Sequence, residues 1–379
     1  MKLFVALTYV VLAAWRWDLP PGFPPPVVPD DNPMSVEKVE LGRRLFFDEQ
    51  LSGNGTQSCA SCHRPELAFT DGHARAIGST GEEHPRSAMS LFNVAYATNL
   101  TWQDETLTSL EAQALVPLLN VAPIEMGAQG RVDEILARLA ADSDYRRGFA
   151  QGFPEEDDPI TLDNVARALA SFERTLIAGR APYFKWIYDD DHQAISPAAK
   201  RGAKLFFSDE LACSTCHVGF TFSGPIQAVG LEEIEPTFHN TGLYDIDGEG
   251  RYPEESAGVG GRGAFRSPSL INIELTAPYM HDGSVATLSE VLDIYAAGGR
   301  GDGRNNRFKD ERLQGFSLDA KQKADLLAFL HTLTDRETLS WYNDAQETSL
   351  DHRTAGDGDV DRRDHPSTPD RPRGLPADD

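Results

Sequence analysis

The residues with chemistry to offer begin with the cysteines. All four fall into two runs, Cys59-Ala60-Ser61-Cys62-His63 and Cys213-Ser214-Thr215-Cys216-His217. A Cys-x-x-Cys pair alone could be half a zinc site or a redox pair, whereas an immediately following His is the signature of covalent c-type haem attachment. The spacing suits that chemistry: two thiols add to the vinyl groups of a haem while the adjacent imidazole binds the iron from one face. No cysteine is left over for a zinc or disulfide framework. The sequence therefore predicts two covalent c-type haems, one held by Cys59, Cys62 and His63, the other by Cys213, Cys216 and His217. The second axial ligand then decides what such a protein does, because its identity tunes the reduction potential and an open position permits chemistry at the iron.

The elements that must position these groups are helical. Thr287-Leu288-Ser289-Glu290 reads as a capping box, and the helix it starts puts Leu288, Val291, Leu292 and Tyr295 on one face before Gly298-Gly299. Tyr295 thus points inward; periodicity alone describes it as a core tyrosine with a hydrogen-bonded hydroxyl. Gly42 to Asp48 before the first haem run and Gly202 to Ser208 before the second form an internal repeat, each opened by a capping serine, Ser35 and Ser196, the latter followed by Pro197. Further helices are expected over Thr161 to Leu176 and Ser317 to Leu333, and strand-like alternation is scarce. The expected fold is mainly α: two c-type cytochrome-like domains with long loops, each holding one haem.

Lys2 followed by the apolar Leu3 to Ala14 reads as a signal peptide over 1–14, which places the mature protein in the periplasm. A Pro-rich extension (15–34), an N-terminal haem domain (35–194), a C-terminal haem domain (195–336) and an acidic tail (337–379), expected to be disordered after Trp341, complete the division. No later segment offers the roughly 20 apolar residues of a membrane span. The formal charge of -24 argues against a nucleic-acid partner, which would need clustered Lys and Arg.

These runs, together with Phe69-Thr70-Asp71-Gly72, Glu125-Met126-Gly127 and Leu275 to Gly283, resemble the diheme cytochrome c peroxidase and MauG superfamily over roughly residues 35 to 335. In the peroxidases a Met on the helix after the His-Asp-Gly motif ligates the second iron; MauG-type enzymes have Tyr there, as this chain has Tyr295. Leu51 to Ser58, His84 to Leu91, Phe238 to Tyr244 and Tyr279 to Leu288 are similar to the MbnH-like diheme enzymes, which use hydrogen peroxide to oxidise a tryptophan of a partner, an MbnP-like protein, to kynurenine.

The resemblance implies a peroxide-reactive haem at His63 with an open distal face and a second haem between His217 and Tyr295. It implies catalytic roles for Glu125 as distal acid, for Gln113 in the distal pocket, where Pro117 also matches a position, for Trp102 as a relay between haems and for Tyr295 at the second haem. A two-ferryl state would then oxidise the partner. It also implies a calcium ion held by the carbonyls of Thr276 and Pro278, with Ser87 where the family usually has Asn. Met280 ranks behind Tyr295 as axial ligand, and His281 has a structural or haem-environment role. His73 and His84 lie where some peroxidases supply a removable ligand, but neither sits in such a motif. Leu211 stands where MauG has a surface tryptophan, which argues against the MauG substrate. The alternatives are a peroxidase that takes electrons from small donor proteins, disfavoured by Tyr295, and a non-enzymatic diheme electron carrier.

Overall fold

The computed structural model describes residues 15–232, 234–254 and 257–342; the expected signal segment 1–14 and the chain beyond 342 lie outside them. The α-helices that build the two units are α1 (Val36–Phe46), α2 (Cys59–Cys62), α3 (Leu110–Leu119), α4 (Val132–Ala141), α5 (Ser143–Gly152), α6 (Leu162–Glu173), α7 (Pro182–Tyr188), α8 (Pro197–Phe206), α9 (Leu288–Ala296) and α10 (Ala320–His331). Among the described residues β pairing is confined to isolated bridges.

Capping sets the helix starts. Ser35, Thr161 and Ser196 each accept a backbone N–H from the first turn of α1, α6 and α8, and Thr287 and Glu290 form the expected capping box of α9. α10 begins later than the apolar pattern suggested, because Asp319 and Gln322 form the capping box, not Ser317.

The internal repeat extends well beyond its sequence signature. Gly42 of α1 lies so close to the Ala168 carbonyl of α6 that a methyl group would collide with it, and Gly202 of α8 meets the Asp325 carbonyl of α10 in the same way. Each glycine lets two helix backbones cross in contact, so Phe46 packs on Phe172 and Phe206 on Phe329, both at 5.2 Å between ring centroids. The loops match too. Ser90 Oγ donates to the Ala68 carbonyl and Ser269 Oγ to the Thr221 carbonyl, while Asn93 and Asn272, both left-handed, take the Leu176 and Leu333 carbonyls. Two haem-sized units are thereby built on one plan.

The units share one apolar core. The Pro-rich segment helps to join them: Phe23 is buried against Tyr96 and Phe184 of the N-terminal unit and Phe220 of the C-terminal one. The tail expected from 337 starts as ordered chain, since residues 336–342 are helical, Leu339 is buried, and Tyr342 donates to the Thr175 carbonyl while its ring meets Phe69 at 5.5 Å. No helix among the described residues is long and apolar enough to cross a membrane.

Candidate functional site: two haem cavities and the wall between them

Each Cys-x-x-Cys-His run opens onto a cavity. Cys59, Cys62 and His63 line one of about 450 Å³; Cys213, Cys216 and His217 line one of about 180 Å³. All four cysteines are unpaired. His63 Nδ1 donates to the Phe69 carbonyl at 2.9 Å, and His217 Nδ1 is shared by the Phe222 and Pro268 carbonyls, each at 3.2 Å. That fixes the tautomer and leaves Nε2 as the lone-pair nitrogen for a metal. Phe69 (φ 59°) and Phe222 (φ 50°) are both left-handed, a conformation that costs a bulky residue about 1–3 kcal/mol and here aims the carbonyl at the imidazole. Burial pushes both imidazoles down, His217 to about 4, so they stay neutral as iron ligands must be. Free thiols, fixed imidazoles and large apolar cavities fit two covalent haems.

In the second cavity α9 presents Leu288, Val291, Leu292 and Tyr295, the face read from the sequence. The core-tyrosine alternative required a partner for the hydroxyl. Among the described residues nothing hydrogen-bonds the Tyr295 hydroxyl, although its surroundings are buried enough to push the phenol above its ordinary range, mainly by desolvation. A buried tyrosine hydroxyl normally finds a partner; here it faces the cavity that His217 lines. Met280 lines this cavity too. His281 does so with its ring stacked on Phe265 at 3.7 Å and its Nε2 buried without a partner.

The first cavity gathers Gln113, Pro117 and Glu125. The loop that carries Glu125 is pinned by Met126 N–H to the Pro117 carbonyl, Ser79 N–H to the Glu125 carbonyl and Gly53 N–H to the Met126 carbonyl, which holds Glu125 at the cavity. Burial pushes its carboxyl up to about 7. His84, expected only as a remote ligand possibility, also lines the cavity: its Nδ1 accepts the Arg86 N–H, and its Nε2 lies 3.8 Å from Glu125 Oε1. His73 is exposed and lines neither cavity.

Glu173 is a site residue that sequence reasoning missed. It lines the first cavity at the position that Leu330 holds in the second, its Oε2 has no partner, and burial pushes it up to about 8. The signal was present in the repeat of α6 and α10, once their alignment was known.

Trp102 stands in the wall between the sites and lines both haem cavities. Its indole N–H donates to the Ser87 carbonyl at 3.0 Å, and its ring lies 6.5 Å from that of His281. A third cavity of about 80 Å³ in the same wall is lined by Trp102, Ser87, Thr276 and Pro278. Among the described residues the Thr276 and Pro278 carbonyls accept no hydrogen bond, and no cluster of three carboxylate, imidazole or thiol groups could hold a metal. A cation there would rest on neutral oxygens.

Two Cys-x-x-Cys-His runs on separate cavities, one also lined by Glu125, Gln113 and His84 and the other by a tyrosine whose hydroxyl has no partner among the described residues, fit a two-haem c-type redox protein. A family model for di-haem cytochrome c peroxidase matches residues 36–192. The chain is 37% identical over 308 residues to the methylamine utilization protein MauG of Methylorubrum extorquens, covering 80% of each chain. It is 31% identical to a cytochrome c551 peroxidase of Nitrosomonas europaea, covering 80% of this chain and 81% of that one. A crystal structure of a MauG-like protein associated with microbial copper homeostasis superposes with a TM-score of 0.83 at 48% identity, covering 86% of this chain and 97% of the other. The chain belongs to the di-haem cytochrome c peroxidase and MauG family and is a haem-dependent oxidoreductase.

Proposed function

We propose that the protein uses hydrogen peroxide to oxidise a tryptophan of a partner protein to kynurenine, as MbnH-like enzymes do, and that it works in the periplasm. The observation that carries this reading is Tyr295, whose unpartnered hydroxyl lines the cavity of His217. The similarity to a MauG-like protein linked to copper homeostasis supports it. The bound haems supply the iron at which peroxide reacts and hold its oxidising power. Around the first, Glu125 takes the proton from peroxide and returns it to the departing oxygen, with Gln113 and His84 orienting the polar end of the cavity. Trp102, which lines both cavities, carries holes between them. Tyr295 as phenolate favours the oxidised form of the second site.

The peroxidase reading keeps one observation, Met280 in the second cavity, where a thioether could compete with Tyr295. Incubation with peroxide and a tryptophan-bearing MbnP-like partner separates the two. Partner oxidation should yield kynurenine by mass spectrometry and proceed faster than turnover of reduced cytochrome c. Rapid cytochrome turnover with an unmodified partner would refute the proposal.

Calcium in the small cavity belongs to the same reading, held by the Thr276 and Pro278 carbonyls with help from Ser87. Because Trp102 donates to the Ser87 carbonyl, chelation is expected to strip bound calcium and disturb the spectra of both haems. Protein that contains no calcium, or keeps its spectra after losing it, would remove the ion from the account.

A further inference from the structure

Arg266 is the other residue that lines all three cavities. Its backbone N–H donates to the Trp102 carbonyl at 2.9 Å, so guanidinium and indole leave the wall together. Nη1 donates to the Asn99 carbonyl at 2.7 Å, Nη2 reaches only the Met89 thioether at 3.7 Å, and Nε is buried without an acceptor. Among the described residues no carboxylate pairs with it, and burial pushes it down to about 10. A guanidinium has five donors and cannot shed its charge in a protein, so leaving it buried without an anion is costly. Arg174, another buried guanidinium, is by contrast paired with Glu111.

We propose that Arg266 is the shared counter-cation of the two haems, receiving a propionate carboxylate from each. Of the three cavities that Arg266 lines, the one of about 80 Å³ is the smallest, and the two with room for a large anionic group are those built around His63 and His217. Each haem brings carboxylates of its own. Arginine's planar fork is suited to two such partners at once, which a point charge is not. One positive charge then stabilises the electron-rich form of both irons and couples the two sites beside Trp102. The proposal needs only the two haems and is independent of the partner substrate.

Spectroelectrochemical titration of the holoprotein tests it. Arg266→Leu is expected to lower the reduction potentials of both haems and steepen their dependence on pH near neutrality, because unpaired propionates regain protons there. Arg266→Lys should restore most of the lost potential. Should the Leu variant fail to accumulate with both haems, Arg266→Gln, which keeps hydrogen bonding but not charge, is expected to show the same fall. A buried structural arginine would leave the potentials in place, and unchanged potentials, or movement of one haem only, would overturn the assignment. So would wild-type potentials that follow the identity of the buffer anion at constant ionic strength, since the counter-ion would then be a free solute.

Discussion

Replacing Tyr295 by Phe is expected to leave both haems attached and the fold intact while abolishing the long-lived oxidised state and partner oxidation with it. The ring's packing on the face of Leu288, Val291 and Leu292 survives the change; only the hydroxyl is lost. Among the described residues that hydroxyl makes no hydrogen bond, so its removal strands none of their buried groups, unlike the usual loss of a buried polar contact. Burial holds the phenol protonated when nothing else draws the proton off. A ferric centre held by His217 would do so, and the resulting phenolate is a hard anionic ligand that favours oxidised over reduced iron. The potential of the second haem should therefore rise in Tyr295→Phe. Spectroelectrochemistry and stopped-flow absorption after peroxide check both parts. A variant with unaltered potential and unaltered persistence of the oxidised state would show that Tyr295 is a core residue after all.

The second large effect is expected at Glu125. Its carboxyl, raised to about 7 by burial, sits near the pH where an acid-base catalyst is most useful. The ionised form accepts the peroxide proton, so the rate of reaction with peroxide should rise with pH through about 7 and level off above it. Glu125→Gln keeps the size and polarity of the side chain but cannot exchange a proton. It should slow the reaction by about 100-fold or more and flatten the pH profile. His84, 3.8 Å away, cannot substitute at neutral pH, because burial and the nearby Arg86 hold its protonation down and its Nδ1 is occupied by the Arg86 N–H. Stopped-flow rates across that pH range decide the matter, and a Gln variant with the parental rate or the parental profile would take Glu125 out of the mechanism.

Much of this was legible in the chain because it rests on local pattern. The haem runs are contiguous, the α9 capping box is four residues read in order, and the inward face of α9 follows from helical periodicity. The glycines at 42 and 202 announced the repeat, though not its reason, which is the contact of crossing backbones. What stayed hidden depends on chain brought together from far apart. Arg266 looks like any surface arginine until Trp102 and both cavities surround it. Glu173 looks like the polar end of an amphipathic helix until α6 is laid over α10 and its counterpart proves to be Leu330. The left-handed Phe69 and Phe222 give no sequence signal, since nothing in a phenylalanine predicts positive φ. The anchoring of the first tail residues gives no sequence signal either, because Leu339 and Tyr342 are isolated apolar residues, and the Tyr342 contacts are with Phe69 and Thr175, far away in the chain.

The central claim is that oxidising power from one peroxide is held across both haem sites, with Tyr295 stabilising it at the second. Freeze-quenched Mössbauer and EPR spectra of the iron-57 holoprotein, taken after addition of equimolar peroxide, test this most directly. The account predicts that both irons leave their resting ferric signals together, that no porphyrin radical persists, and that the change decays when a tryptophan-bearing partner is added. Oxidation confined to the His63 iron, with the His217 iron still in its resting state, would contradict it.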